Sequence, residues 1–97
     1  MKTDNKKRVE IFTTPTCHYC HLAKEFLNQH LHDGFEIEMY DVTKDPARRQ
    51  ELIDLGAMGV PLIRLTGGAE TVILNGFGDE EEDTISKYVG IGKYKGM

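Results

Sequence analysis

Val9-Glu10-Ile11-Phe12-Thr13, then Thr14-Pro15-Thr16, then Cys17-His18-Tyr19-Cys20: the seam between these three stretches decides the fold. The first mixes alternation with β-branched residues and stops at a proline, the pattern of a short strand. From His18 onward Tyr19, Leu22, Ala23, Phe26, Leu27, His30 and Leu31 recur at helical spacing, while Lys24, Glu25, Asn28 and Gln29 occupy the other face. The spacing predicts a helix that begins at about Cys17 and is stopped by Asp33-Gly34. Two thiols separated by two residues therefore sit at a helix N-terminus, where they can close into a disulfide and reopen.

The orphan N–H groups and positive dipole end of such a helix favour thiolate over thiol on the first sulfur, so Cys17 is the expected nucleophile. Cys20, one turn further in, is expected to be more enclosed and to resolve a mixed disulfide formed on Cys17. Other readings of the same letters carry less support. Cys17-His18-Tyr19-Cys20-His21 also spells the C-x-x-C-H of haem attachment, which expects an exported chain and gives no reason for a preceding strand. A zinc site lacks a second C-x-x-C or H-x-x-x-H, and a structural disulfide would close a loop too short to stabilise much. His18 and His21 lie near enough to tune a thiolate, but solvated surface histidines are the commoner outcome. No metal site is assigned.

Length and composition bound the rest. The chain has 97 residues, 39% hydrophobic and 29% charged, which fits one ordinary globular domain with a modest core and no separate substrate-binding domain. No apolar run approaches the ~20 residues of a membrane span, and Met1 to Lys7 is polar throughout, so a cytoplasmic protein without membrane contact is expected. In that reducing setting a C-x-x-C pair is more often catalytic or metal-binding than a structural staple. A net charge of −4 without a one-sided basic cluster argues against a nucleic-acid partner.

Beyond the first helix, Phe35, Ile37 and Met39 alternate with Glu36, Glu38 and Tyr40, predicting a second strand with one wet face that ends near Val42. Asp45-Pro46 is an N-cap and first-turn pair for a short second helix carrying Leu52, Ile53 and Leu55 and ending at Gly56. Pro61 to Thr66 and Glu70 to Asn75 read as two antiparallel strands joined across Gly67-Gly68. Asp79 with Glu82 reads as a capping box opening a last helix through Ile85, Tyr88 and Val89. The expected core spans about residues 8–90, with residues 1–7 and 91–97 loose. Gly76-Phe77-Gly78 lacks the third glycine and the following βαβ unit of a dinucleotide fingerprint. The order β-α-β-α-β-β-α, with a right-handed crossover making the first two strands parallel, defines an α/β sandwich on a four-stranded mixed sheet with flanking helices.

In this order and in three spaced motifs the chain resembles the glutaredoxin family of the thioredoxin-like fold. Thr14-Pro15-Thr16-Cys17-His18-Tyr19-Cys20 is similar to the family's active-site segment, with His18 where a proline is usual. Gly59-Val60-Pro61 matches the position of the family's cis-proline, although local sequence alone favours a trans bond opening a strand. Asn75-Gly76-Phe77-Gly78-Asp79 matches the glycine turn before the last helix. The resemblance implies a thiol-disulfide oxidoreductase in which Cys17 and Cys20 are catalytic. It places Thr14, Tyr19, Val60, Pro61, Gly76, Phe77 and Asp79 at the substrate or glutathione site. It implies no tightly bound cofactor, with glutathione as a co-substrate, and a monomer that meets a disulfide-containing protein substrate.

The electron donor stays open between glutathione and thioredoxin reductase. Thr14 stands where many glutaredoxins carry a lysine that holds a glutathione carboxylate, whereas Asp79 could receive the glutathione ammonium group. Gly76-Phe77 also resembles the turn of the glutaredoxin-like redoxins that thioredoxin reductase reduces and that feed ribonucleotide reductase. Two other classes use the same residues: an iron–sulfur or metal carrier on Cys17, with which a resolving Cys20 would compete, and a redox-sensing binding module.

Overall fold

A computed structural model describes residues 7–30 and 35–90 of the chain. The elements follow in the order β1 (Lys7–Thr13), α1 (His18–Asn28), β2 (Phe35–Asp41), α2 (Pro46–Asp54), β3 (Leu62–Thr66), β4 (Val72–Asn75) and α3 (Asp79–Val89). The four strands form one sheet in the order β2-β1-β3-β4, with β1 parallel to β2 and the pairs β1/β3 and β3/β4 antiparallel. This is the thioredoxin-like fold, a mixed four-stranded sheet with three helices.

Side chains alternate across a strand, so β1 feeds two cores at once. Val9 and Ile11 point toward α1 and α3, where they pack with Ala23, Phe26, Leu27, Ile85 and Val89. Phe12 points the other way and joins Leu62, Val42 and Leu52 under α2. With helices on both faces β1 is buried from Val9 to Phe12, including Glu10. Helix α2 opens as its sequence predicts: Asp45 accepts the backbone N–H of Arg48 and Pro46 occupies the first turn.

Four boundaries differ from the sequence-based expectation. Lys7, expected in a loose terminus, begins β1 opposite Phe35; residues 1–6 and 91–97 lie outside the described residues. Helix α1 ends at Asn28, because the His30 N–H turns back to Leu27 O in a tighter turn; Leu31 and the Asp33-Gly34 stop lie outside the described residues. Strand β4 begins at Val72 rather than Glu70. The Tyr88 hydroxyl accepts the Gly68 N–H and donates to the Glu70 carbonyl, drawing the connection onto α3 and off the ladder. A Cβ on Gly68 would meet the Tyr88 ring at 2.9 Å, so the glycine permits this contact. Finally, Asp79 caps nothing. The first helical bond of α3 runs from Glu82 N–H to Gly78 O, which makes Gly78 the N-cap and Asp79 the first helical residue. The run Asp79 to Glu82 instead supplies negative charge to the first turn, where the helix dipole favours it.

Candidate functional site

Strand β1 ends at Thr13 and the chain reverses in one turn. Cys17 N–H donates to Thr14 O, with Pro15 preset for the second position of that turn. Cys17 then acts as N-cap of α1, in an extended conformation, and its Sγ accepts the Cys20 N–H at 3.1 Å. Helix formation thus aims a backbone donor at the first sulfur. The two sulfurs are joined in a disulfide, with Cα atoms 5.2 Å apart. Cys20 is buried at 2% exposure while Cys17 is half-buried, the asymmetry expected of the pair.

The remaining site residues fall into three groups. Val60–Pro61 is a cis peptide bond, as the resemblance implied and local sequence did not. Pro61 O accepts the Gly76 N–H at 2.8 Å, and Met58, Val60, Pro61, Asn75 and Gly76 line one cleft. Gly76 has φ 101°, a backbone conformation that favours glycine, so this turn requires the residue. Tyr19, Phe77 and Asp79 come together in a second groove between α1 and α3, together with Leu22, Glu25 and Phe26. Thr14 joins neither group and lines a third cleft with Thr43, Pro46 and Arg49. His18 stacks edgewise on Tyr19 at 5.5 Å.

Sequence reasoning missed a partly buried polar network on the α2 side of the sheet. Arg64 pairs with Glu10 through Nε and with Glu51 through a guanidinium NH at 2.7 Å; Arg48 reaches the other Glu51 oxygen and lies over the Tyr40 ring at 3.8 Å. The Tyr40 hydroxyl donates to Glu10 at 2.7 Å. Burial pushes the Glu10 carboxyl up, but the bonds from Arg64 and Tyr40 outweigh it and hold it below its ordinary value. Hydrogen bonds from Arg64 and Arg48 lower Glu51 likewise. The signal was available: Glu10 stands between the apolar Val9 and Ile11, Arg64 is the one charge in β3, and antiparallel register sets them opposite each other. Met58, 92% exposed, lines the cis-proline cleft and Glu25 the α1/α3 groove, placements that no sequence motif marks.

A strand–turn–helix that presents one accessible and one enclosed cysteine, under a mixed sheet with a cis-proline, defines a thiol-disulfide oxidoreductase of the thioredoxin-like fold. The family model for glutaredoxin matches residues 9–68, and the chain belongs to that family. It is 36% identical over 63 residues to a probable thioredoxin of Methanothermobacter marburgensis, covering 62% of this chain and 71% of that one. It is 32% identical over 78 residues to an uncharacterised glutaredoxin-like 8.6 kDa protein from a rubredoxin operon of Clostridium pasteurianum, covering 79% and 95%. Among solved structures, the glutaredoxin-like NrdH-redoxin of Escherichia coli shares the fold, with a TM-score of 0.63 at 24% identity over 80% of this chain and 93% of that one. No described helix is long and apolar enough to cross a membrane.

Proposed function

We propose that this oxidoreductase reduces protein disulfides by a dithiol route in which Cys17 attacks and Cys20 resolves. The Cys17 thiolate displaces one sulfur of the substrate disulfide, which leaves as a thiolate, and a mixed disulfide forms. Cys20 then loses its proton and attacks the Cys17 sulfur. The second substrate thiol departs, and the protein carries the Cys17–Cys20 disulfide. Two electrons pass to the substrate, and a donor dithiol returns them. The observation that carries this assignment is the contrast between the half-buried Cys17, whose Sγ accepts a helix N-terminal amide, and Cys20 at 2% exposure.

For the donor we infer a flavin-dependent thioredoxin reductase, with glutathione as a weak co-substrate. The likeness to chains described as thioredoxins in two methanogen genera supports this, as does the absence of a lysine at Thr14. Arg49 lines the same cleft as Thr14 and leaves one cation for a glutathione carboxylate. The protein works as a monomer in a reducing cytoplasm on this reading. Steady-state NADPH oxidation tests it with an insulin-type protein disulfide and either thioredoxin reductase or glutathione plus glutathione reductase. Turnover should be faster with the first donor; turnover confined to the glutathione system would reverse the assignment.

A further inference from the structure

The groove between α1 and α3 has a composition that a glutathione-directed site does not explain. Its floor is Phe26 and Phe77, whose ring centroids lie 5.9 Å apart. Its wall is Tyr19 and Leu22, the large apolar residues that α1 leaves exposed, at 57% and 37%. Tyr19, Leu22 and Phe26 follow helical spacing and so share one face of α1, and Tyr19 lies between the two cysteines. The groove wall at Tyr19 thus adjoins Cys20 along the helix. Its volume, about 400 Å³, lies in the range of ligand clefts. Three carboxylates line it, Glu25, Asp79 and Glu82, and among the described residues no lysine or arginine does.

Apolar walls attract an apolar side chain without regard to charge, whereas a rim of one sign discriminates by charge. Glutathione carries two carboxylates and one ammonium, so its net charge opposes this rim. A peptide with lysine or arginine beside an aliphatic residue complements it. We propose that the α1/α3 groove is a docking site for an apolar residue flanked by basic residues on the substrate protein, and that Glu25 and Asp79 select disulfides set in such segments. The inference rests on the dithiol reading above. It names the chemistry of the segment that lies beside the disulfide while Cys17 is engaged.

The test uses the full chain, reduced and freed of reductant. It is mixed with an excess of synthetic peptides that share one disulfide beside a leucine and differ only in flanking lysines, glutamines or glutamates. In a single turnover the protein dithiol becomes its disulfide and the peptide disulfide becomes two thiols, followed by acid quench and mass measurement. At low ionic strength the lysine peptide should react about ten-fold faster than the glutamate peptide, the scale expected of a few exposed charge pairs. The preference should shrink toward unity near 1 M salt, where the screening length is about 3 Å. The Glu25→Gln/Asp79→Asn variant should lose most of it, and Leu22→Ser should slow all three peptides. Equal rates for the three peptides, or a preference that survives in the double variant, would overturn the inference while leaving the dithiol reading intact. Oxidation by none of them would overturn both. A dimer in sedimentation equilibrium that Leu22→Ser dissolves would assign the groove to a second copy of the chain instead.

Discussion

Arg64 and Glu10 face each other across the β1–β3 ladder and meet there as an ion pair under α2. The pair ties four elements together, because the same guanidinium also holds Glu51 on α2, and Tyr40 on β2 completes the Glu10 carboxylate. A buried carboxylate is tolerated when it is paired and fully hydrogen-bonded, and Glu10, 7% exposed, meets both conditions.

Arg64→Met should therefore be severely destabilising, since it leaves Glu10 buried without its cation. Breaking such a pair costs about 3–5 kcal/mol, which in a domain of this size lowers Tm by roughly 15 °C or more. The double variant Glu10→Gln/Arg64→Met should recover more than half of the loss, because no unpaired buried charge remains. Thermal melts followed by circular dichroism decide; equal Tm values for the single and double variants would contradict this account.

The same network sets an acid limit on stability. Glu10 and Glu51 titrate below their ordinary value of 4.5 in the folded protein. A carboxyl whose folded value is depressed contributes stability that is fully present above its unfolded value and is lost as pH falls through the folded one. Urea midpoints should thus stay level from about pH 7 to about pH 5 and fall below that, and Glu10→Gln should flatten the fall. A Glu10→Gln curve parallel to wild type would remove Glu10 as a cause.

The division of labour between the cysteines predicts distinct phenotypes. Cys17→Ser should abolish disulfide reduction, whereas Cys20→Ser should lose protein-disulfide reduction and accumulate mixed disulfides on Cys17. Iodoacetamide applied to the reduced wild type should label Cys17 first; earlier labelling of Cys20 would reverse the roles.

Thr14 and Asp79 test the glutathione contribution from opposite directions. A lysine at Thr14 adds a charge-assisted contact worth roughly 1.5–3 kcal/mol when well formed, or about one to two decades of affinity. Thr14→Lys should lower the glutathione concentration for half-maximal rate, and Asp79→Ala should raise it by removing a partner for the ammonium group. If neither variant moves that concentration, glutathione does not use these positions.

Much of this molecule was legible as sequence because its signals are local. The period change at Cys17, the Asp45-Pro46 cap and the β-α-β-α-β-β-α order each depend on neighbours a few residues apart. At a few positions the structure departs from the local pattern. Asp79 to Glu82 has the letters of a capping box, yet the chain enters α3 through Gly78. Glu70 has the pattern of a strand, yet Tyr88, eighteen residues on, pulls its carbonyl away. Glu25 sits on the polar side of α1 by periodicity, and only the arrival of α3 makes that side the lip of a groove.

By itself the sequence determined the elements, their order and the placing of Cys17 at a helix start, since these follow from turn chemistry and hydrophobic period within short windows. The tertiary structure decided that Val60–Pro61 is cis, against the local preference. It alone decided that Glu10, Arg64, Glu51 and Tyr40 share one network, and that three carboxylates rim the groove beside Tyr19. The network and the groove are meetings of segments far apart in the chain, which no short window of sequence contains.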